Sequence, residues 1–508
     1  MSLPKSLLFL SLLLILSPSI YSQQEDVFNP QDLYNIPLET VEVQEDIPLL
    51  EPSRLLSSYP HIRIVGNFDN LASAPADYAA YIQSDLVPPV LSWFQAAITI
   101  KYPVTTSIKL GSSVASICGV STPPELYTGV SADLLVIFNS KLYSSTTTVA
   151  SSKVCYLATG TRRPLVATSI FNRNILVAAN GDVLVHEKNV YLTIHEMMHN
   201  LAFSSDLFPY FMDENGKVRT GHVKSVTYYG KATKVIDLPP LTANLQKFFG
   251  CSSLEGAYLE NDGSDGTTNS HFERKIFVYE TMSSGVIYSR RVSQFSLNLL
   301  EGSGWYIPDY DYAEPYYFGQ GEGCDFIFGT CANAATQFAA EYCSGSVRGC
   351  TPWGDGAGNC FNDTLTEGCA YTMPNKAYHC ENEDATISRL SSLQVYGRGL
   401  GSKCFTGTLN TKSTTTKTNF CFKYTCSGSG STTKLTVKVG TKSVICSKAG
   451  TKTVSGYYGS INCPDPLEFC STIGKPYCPR NCMGRGTCVD NVCQCNKGFT
   501  GVDCALNA

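Results

Sequence analysis

Two histidines and a glutamate stand close together in this sequence, with a spacing that can do chemistry. His195 and His199 are four positions apart, and Glu196 directly follows the first of them. On a helix, residues four apart project from the same side, so the two imidazoles can bind one zinc ion at roughly 2.0–2.1 Å. A carboxylate beside the first ligand can take a proton from water at that metal.

The order His-Glu-x-x-His is typical of zinc peptidases. The alternative is a chance match, in which two ordinary helix histidines lie beside a solvated glutamate and bind no metal. A catalytic zinc needs three protein ligands plus a water. The third can be a glutamate further along the chain or a histidine six residues after the second, but Ser205 occupies that position. The other histidines are His61, His186, His222, His271 and His379. Of these, we expect His186 and His222 to lie at the surface.

The residues around the motif indicate which elements position it. Apolar residues recur at helical spacing from Val190 to Leu201, and again between Tyr78 and Ile98, which predicts two helices. The short apolar runs at 62–65 and 133–138 are typical of strands. Strands mixed with helices predict an α+β or α/β core for this part of the chain.

Length, charge and cysteine content limit the classes of protein this can be. The 508 residues indicate two to four domains. The net charge of −5 argues against a basic surface, so we expect no nucleic-acid partner. Nineteen of the 22 cysteines lie from Cys324 onward. That density is typical of a disulfide scaffold outside the reducing cytosol.

Other signals agree with export. Residues 1–22 carry Lys5, an apolar run too short to span a bilayer, and the small Ser22, which predicts a signal peptide more than a buried helix. No later stretch has eighteen consecutive apolar residues, so we expect no transmembrane helix. Asn362 begins an Asn-Asp-Thr glycosylation sequence. We therefore expect a secreted or secretory-route protein, with association at the cell surface as one option.

Two segments of unusual composition flank the predicted core. Residues 23–58 are acidic, lack cysteine and have weak helical periodicity, which is typical of a removable pro-segment or a solvated arm. Residues 321–472 are rich in Gly, Ser, Thr and Cys and predict a β-rich, disulfide-braced domain. Within them, residues 434–439 alternate at period two, as an exposed strand does.

The last six cysteines have the spacing C-x3-C-x5-C-x4-C-x-C-x8-C, which resembles an EGF-like module. Cysteine counting alone leaves fifteen pairings open. A zinc knuckle fits poorly, because the segment has no histidine. The pairing that the resemblance implies is Cys478–Cys488, Cys482–Cys493 and Cys495–Cys504.

Further segments resemble the leishmanolysin family of metzincin zinc proteases. They are Gly-Cys-Ser-Ser-Leu-Glu-Gly-Ala at 250–257, Ser-His-Phe-Glu-Arg at 270–274 and Tyr-Glu-Thr-Met-Ser at 279–283, within a similarity that extends over about residues 60–380. This resemblance implies that His271 is the third zinc ligand and that Met282 forms the methionine turn beneath the metal. It also implies the disulfides Cys118–Cys155 and Cys251–Cys324.

The sequence departs from the family pattern in two places. Ala202 stands where metzincins have a glycine that permits positive φ, so either the turn differs or the zinc helix runs on. The family's pro-segment blocks zinc with a thiolate, but residues 23–58 contain no cysteine. A carboxylate such as Asp46 or Glu51 is one substitute for that thiolate.

The resemblance implies a secreted zinc metalloendopeptidase with one zinc ion per chain, held by His195, His199 and His271. Glu196 is then the general base that takes the proton of the attacking water. The alternative is a catalytically weak or silent adhesion protein acting through its Cys-rich and EGF-like modules, yet such proteins usually lose the base that is present here. Expected partners are a protein or peptide substrate and a cell-surface or matrix partner at the EGF-like module.

The expected fold is α+β, with a metzincin-like core followed by a β-rich domain and an EGF-like module. The expected boundaries are a signal peptide at 1–22, a pro-segment at 23–58, an N-terminal catalytic subdomain with the zinc helix at 59–205, a central subdomain with the third histidine and the methionine turn at 206–320, a Cys-rich β domain at 321–472 and an EGF-like module at 473–508.

Overall fold

The fold is described from a computed structural model, for residues 29–45, 59–263, 266–285, 287–345, 348–382, 397–399, 401–409 and 418–508. The expected signal peptide and the two carboxylates Asp46 and Glu51 lie outside these residues. Within them, none of the helices combines the length and the apolar character needed to cross a membrane.

The region around the His-Glu-x-x-His motif is a mixed sheet with its two longest helices packed on one face. Its strands are β1 (Glu39–Val41), β2 (Ile64–Asn67), β3 (Ile98–Ile100), β4 (Ser116–Ile117), β5 (Val120–Ser121), β6 (Leu134–Lys141), β7 (Ala150–Ala158) and β8 (Pro164–Asn172). Its helices are α1 (Pro30–Tyr34), α2 (Ala76–Ala80), α3 (Val87–Ala97), α4 (Glu125–Thr128) and α5 (Val183–Leu201). The main sheet has the order β1-β7-β8-β6-β2, in which β7 is antiparallel to β8 and β1 is parallel to β7.

Both faces of this sheet are buried, which explains the unbroken apolar run at 134–138. On one face, Val136 and Phe138 pack in the large cluster that also contains residues of α3 and α5. On the other face, Leu135 and Ile137 pack in a second cluster, with residues of α1 and of the segment between β3 and β6, which includes α4. The sheet therefore gives α5 a rigid support along its buried side.

Helix α5 carries the motif and has well-defined ends. It begins at Val183, where the Asp182 side chain accepts a hydrogen bond of 3.1 Å from the backbone N–H of Val185. It ends at Leu201, because Ala202, with φ −159° and ψ −27°, is outside the helical region. The φ of Ala202 is negative, so the turn after α5 does not use the positive φ that a glycine at this position would permit.

The central region shares its core with the region before it. It contains α6 (Pro239–Phe249), α7 (Arg274–Phe277), α8 (Gln294–Gly302), β9 (Val223–Tyr228), β10 (Lys231–Ile236), β11 (Ala257–Tyr258) and β12 (Tyr306–Pro308). Strands β9 to β11 form an antiparallel sheet in the order β11-β10-β9, and β12 pairs with β3. One hydrophobic cluster runs through both regions.

The Cys-rich region divides between two sheets. Its elements are α9 (Cys324–Phe328), α10 (Ala334–Gln337), β13 (Gly349–Cys350), β14 (Gly356–Phe361), β15 (Tyr371–His379), β16 (Ser402–Gly407), β17 (Thr418–Ser427), β18 (Lys434–Val439), β19 (Lys442–Cys446), β20 (Gly450–Thr453), β21 (Ser460–Cys463) and α11 (Pro466–Ser471). Strands β13 to β15 form one sheet, and the order β19-β18-β17-β16-β21-β20 forms another with its own hydrophobic cluster. Strand β18 is the one expected at 434–439.

The C-terminal module is made of two small hairpins and packs on helix α5. The hairpins are β22 (Gly486–Val489) with β23 (Val492–Cys495) and β24 (Phe499–Thr500) with β25 (Leu506–Asn507). The buried guanidinium of Arg480 lies 4.6 Å from the ring centroid of Tyr191 and 3.5 Å from the Glu187 carboxylate, both on α5. The module is thus attached to the helix that carries the histidines.

Every one of the 22 cysteines is in a disulfide. Cys118 is joined to Cys155 and Cys251 to Cys324, as the family resemblance implied. The last module contains the EGF-like pairs Cys478–Cys488, Cys482–Cys493 and Cys495–Cys504. The pairs between them are Cys331–Cys369, Cys343–Cys360, Cys350–Cys404, Cys380–Cys421, Cys426–Cys470 and Cys446–Cys463.

The expectation of a solvated arm is wrong for residues 29–45. Leu33 is 1% exposed and belongs to the second hydrophobic cluster, against which Ile36 and Val41 also pack. The acidic composition suggested a fully solvated segment. In the fold, carboxylates such as Asp32 face solvent, while the apolar residues between them face the sheet. Whether this stretch is removable remains a proposal, as do the domain boundaries.

Candidate metal centre

Three of the predicted histidines meet in one place. His195 and His199 lie on α5, and His271 comes from the central region shortly before α7. The Nε2 atom of His195 is 3.0 Å from Nε2 of His199 and 3.0 Å from Nε2 of His271. One nitrogen from each ring therefore points at a common centre.

Backbone carbonyls orient all three rings. The Nδ1 atom of His195 lies 2.7 Å from the carbonyl oxygen of Thr281, that of His199 lies 2.6 Å from the carbonyl of Phe203, and that of His271 lies 2.9 Å from the carbonyl of Thr267. A carbonyl only accepts, so each Nδ1 carries the proton and donates it. In a neutral imidazole the remaining nitrogen, Nε2, then has a free lone pair.

This donor set fits a zinc ion. The Nε2 lone pair of His195 lies 3.0 Å from Nε2 of each of the other two histidines, and such lone pairs repel one another unless a cation lies between them. Nitrogens bound tetrahedrally at about 2.0–2.1 Å would be separated by about 3.4 Å, close to the spacing found. Burial holds the pKa of His195 well below its usual range and lowers that of His199 to about 4 and that of His271 to about 3, which keeps the rings neutral as metal ligands must be.

Glu196 lies beside this centre as the candidate base. Its side chain is buried, and its Oε2 atom has no hydrogen-bond partner within the described part of the chain. Burial raises the pKa of Glu196 to about 7, although a hydrogen bond from Ser152 acts in the opposite direction. A carboxyl group with a pKa near neutrality is suited to take up a proton and release it again.

The turn at 280–283 supports the histidine site, since the Thr281 carbonyl is the partner of His195. Met282 is fully buried, and its backbone N–H donates to the Glu280 carboxylate. That carboxylate also accepts hydrogen bonds from the hydroxyls of Ser293 at 2.9 Å and Ser296 at 2.6 Å. Arg290 donates from Nη1 to the carbonyl oxygens of Thr281 and Ser283.

Sequence reasoning missed these supporting contacts for a physical reason. Four of the acceptors are backbone carbonyls, at Phe203, Thr267, Thr281 and Ser283, and any residue type provides a carbonyl. The Tyr-Glu-Thr-Met-Ser segment marked the turn, but nothing in the sequence pointed to Arg290 as the side chain that holds it.

A cavity of about 380 Å³ gives access to the centre. Its wall includes His195, Glu196, His199 and His271, together with Tyr34 of helix α1. A second cavity of about 250 Å³ is also lined by Tyr34 and His199. The centre is therefore reached from a cleft, and α1 forms part of that cleft.

The expectation that His186 and His222 lie at the surface is wrong. They are 5% and 7% exposed. The ring of His186 is within 3.2 Å of the Tyr81 hydroxyl, while His222 donates to the carbonyl of Phe208 at 2.9 Å and stacks on a phenylalanine. Neutral histidine is readily buried when one ring nitrogen has a partner, and its sequence neighbours do not reveal that partner.

The glycosylation sequence and a cluster of cysteines lie outside this centre. Asn362 is exposed directly after β14, where a glycan can be attached. Within the described residues, a second group with metal-binding geometry consists of Cys478, Cys482 and Cys493, but each of these sulfurs is in a disulfide. They are therefore not available to a metal.

Comparison with known proteins agrees with this site. The family model for leishmanolysin, peptidase family M8, matches residues 77–361, and that for the EGF-like domain matches residues 478–504. The first match covers more than half of the 508 residues. The chain thus has a mixed helix-and-strand metallopeptidase fold, and it belongs to the leishmanolysin family, as its sequence predicted.

Curated relatives are similar at moderate identity. A leishmanolysin-like peptidase of Caenorhabditis briggsae is 24% identical over 354 residues, which are 54% of this chain and 53% of the relative. A ciliated left-right organizer metallopeptidase of Danio rerio is 29% identical over 315 residues, 60% of this chain and 49% of the relative. A leishmanolysin homolog of Crithidia fasciculata is 24% identical over 406 residues, 71% of this chain and 59% of the relative. The chain thus spans about half the length of the curated relatives it matches.

Proposed function

We propose that this protein is a zinc metalloendopeptidase with His195, His199 and His271 as the three ligands of one zinc ion. The observation that carries the proposal is the convergence of three unprotonated Nε2 atoms beside a buried carboxylate with an unpartnered oxygen. A zinc ion held there would supply a Lewis acid that activates water and stabilises developing negative charge.

Glu196 is the residue that moves the proton. Its carboxylate takes a proton from the water that attacks the scissile carbonyl carbon, and Oε2 is free to do so. The protonated Glu196 then donates the same proton to the leaving amine when the C–N bond breaks. Burial raises the pKa of Glu196 to about 7, so both its charged and its neutral form are accessible near neutral pH.

The remaining residues of the site hold this geometry. The carbonyls of Thr281, Phe203 and Thr267 fix the tautomer and direction of each imidazole. The cavity of about 380 Å³ is large enough for several residues of an extended peptide. These features favour the hydrolysis of peptide bonds in a polypeptide substrate.

Casein digestion tests this function. Purified protein should release peptides, a zinc chelator should abolish the release, and added zinc should restore it. Glu196→Gln keeps the side-chain volume and removes the base, and should lower the rate by about 10²-fold or more. Equal release by the wild type and by Glu196→Gln would exclude Glu196 as the base.

We also propose that the protein is exported, with a signal peptide at 1–22, a removable pro-segment within 23–58 and a glycan at Asn362. Eleven disulfides, an EGF-like module and the exposure of Asn362 support export. The second candidate function, a catalytically silent adhesion protein, is less well supported because Glu196 and all three histidines are present in one site. A cell-surface or matrix partner at the exposed hairpins of the EGF-like module is compatible with either function.

A further inference from the structure

We propose that a groove between the start of helix α5 and the EGF-like module binds a basic segment of another polypeptide, one that carries two lysine or arginine side chains. The groove is separate from the metal centre. His186 lines the groove and His195 belongs to the centre, and they are nine positions apart on α5. Nine positions are about two and a half helical turns, so the two rings project from opposite faces of the helix. The inference therefore goes beyond the proposed peptidase function and does not depend on it.

The groove consists of two adjoining cavities. One, of about 600 Å³, has walls from α5, from the EGF-like module and from residues 381–382 after β15. The other, of about 400 Å³, has walls from α5, from α2 and from residues 506–507. Wall residues that both cavities share include Asp182, Val183, His186 and Leu506. The two spaces thus form one groove along the junction of the module with the catalytic region.

The walls of this groove are strongly acidic. Among the described residues they carry one cationic side chain, Arg480, and six carboxylates, which belong to Asp77, Asp85, Asp182, Glu187, Glu381 and Asp503. Arg480 pairs with Asp503 and Glu187, and Lys376 pairs with Asp182. Within the same part of the chain, the other three carboxylates have no cation at ion-pair distance. This excess of negative charge attracts a cationic ligand.

His186 adds a hydrogen-bond donor that has no acceptor. The side-chain amide of Asn189 donates to the Val177 carbonyl at 2.9 Å and to the Tyr81 hydroxyl at 3.1 Å. The Tyr81 hydroxyl thus accepts from Asn189 and directs its own proton to Nδ1 of His186, at 3.2 Å. In a neutral imidazole whose Nδ1 accepts, Nε2 carries the hydrogen. His186 is 5% exposed, and its Nε2 has no partner in the described part of the chain.

These features together fit a polypeptide better than a simple amine. An unpaired buried N–H is costly, and a backbone carbonyl of a chain lying along the wall that contains His186 would pair with it. Val183 and Val502 also line the groove and are 56% and 45% exposed. Such apolar surface packs against the methylene groups of lysine and arginine. A simple amine offers the positive charge but no carbonyl.

Binding of a labelled peptide tests the inference. The probe is Gly-Lys-Leu-Arg-Val-Gly with a fluorescent label at its N-terminus and an amide at its C-terminus. Its affinity is measured by fluorescence anisotropy on the full-length, zinc-loaded Glu196→Gln chain, which lacks the proposed base and so should not hydrolyse the probe. We expect saturable binding that weakens as salt is added. The same peptide with glutamate in place of both basic residues should bind at least about tenfold more weakly, and equal binding of the two peptides would overturn the inference.

Two isosteric variants locate the probe in the groove. Asp85→Asn and Glu381→Gln each remove one carboxylate that has no cation, and each should weaken binding about two- to fivefold. The double variant should bind about 4- to 25-fold more weakly. The matched control is Asp490→Asn, at an exposed turn of the same module outside the groove, and its affinity should be unchanged. Full affinity in the double variant would overturn the inference.

A diamine separates a polypeptide ligand from a simple cation. The compound 1,5-diaminopentane has two positive charges, like the probe, but no carbonyl to pair with His186. It should displace the probe only at concentrations at least about tenfold above those of the unlabelled peptide. Displacement at equal concentrations would show that the groove takes amines in general, and the polypeptide assignment would be overturned.

A peptide hydroxamate without basic residues shows whether the probe is bound at the metal centre instead. The hydroxamate group binds zinc, so the compound should occupy the cleft and leave the affinity of the groove for the probe unchanged. Competition between the two would place the probe in the cleft and overturn the inference. Casein digestion by the wild type reports on the peptidase function separately. A protein that digests casein but does not bind the probe keeps the function and loses the groove, and the reverse result keeps the groove.

Discussion

The imidazole of His195 donates a hydrogen bond of 2.7 Å from Nδ1 to the carbonyl oxygen of Thr281. This bond ties helix α5 to the turn that carries Met282. The same turn reaches the third histidine, because the N–H of Phe272, the residue after His271, donates to the Met282 carbonyl at 3.0 Å. Two proposed ligands that are 76 residues apart are thus positioned by one turn.

Removal of the third histidine should reduce zinc binding. His271→Ala leaves two imidazoles, which is fewer than a catalytic zinc site requires, so we expect zinc well below one equivalent after dialysis. Atomic absorption on the purified protein measures this directly. The control is His61→Ala, since His61 is exposed and outside the centre, and it should keep its zinc. Full zinc content in His271→Ala would assign the third ligand to another residue.

Loss of Arg290 should weaken zinc binding without removing a ligand. Its Nη1 atom donates to the carbonyls of Thr281 and Ser283, and the first of these orients His195. Substitution of such supporting residues typically costs about 10- to 100-fold in metal affinity. We therefore expect a weaker zinc affinity for Arg290→Gln in competition with a chelator. Arg348→Gln, at an exposed arginine, should match the wild type, and an unchanged Arg290→Gln would contradict the supporting role.

Asp355 should stabilise the junction of the Cys-rich region with the catalytic region, and only above acidic pH. Burial alone would raise the pKa of its carboxyl, but the Arg291 guanidinium at 2.8 Å holds that pKa well below its usual range. Asp355→Asn leaves the buried guanidinium of Arg291 without its carboxylate, so it should lower the free energy of unfolding by about 3 kcal/mol at pH 7.

The pH dependence of this effect has a definite sign. A carboxyl group whose pKa is lower in the folded state adds stability above its unfolded pKa of about 3.9, and that stability is lost as the pH falls further. Urea unfolding should therefore show a difference between the wild type and Asp355→Asn that is constant from pH 7 to 5 and shrinks below about pH 4. Asp490→Asn, at an exposed turn, should have no such effect, and a difference that grows in acid would refute this account.

Arg480 should secure the EGF-like module to the zinc helix. Its guanidinium lies between the carboxylates of Asp503 and Glu187 and over the ring of Tyr191. Arg480→Met removes the charge and leaves these acidic groups without their cation, at a cost of about 3 kcal/mol or more in unfolding free energy. Lys497→Met removes an exposed charge from the same module and should change stability by less than about 0.5 kcal/mol.

Local sequence patterns predicted the part of the site that is itself local. The four-residue spacing of His195 and His199 placed both imidazoles on one helix face, because helical geometry is fixed by the backbone. Spacing did not identify His271, since the contact spans the whole central region, and only the resemblance to leishmanolysin assigned it. The family membership and the α+β fold are confirmed, whereas the ligand roles stay predictions.

What the sequence did not predict depends on contacts between distant segments. His186 is buried against the Tyr81 hydroxyl, 105 residues away, and His222 against the Phe208 carbonyl, 14 residues away, and neither separation is a helix or strand spacing. Glu45 lies in an acidic stretch that looked solvated, but Arg163 and Thr161 accommodate it in the interior. Amino-acid composition gives the average polarity of a segment. It does not show which carboxylate pairs with a buried cation in the folded protein.

Anomalous diffraction at the zinc absorption edge, from crystals grown with one equivalent of zinc, tests the central claim most directly. We predict a single strong zinc peak about 2.0–2.1 Å from the Nε2 atoms of His195, His199 and His271, with the Glu196 carboxylate beside it but not bound to it. A peak at another group of residues, or a strong peak that lacks any one of the three histidines, would contradict the account.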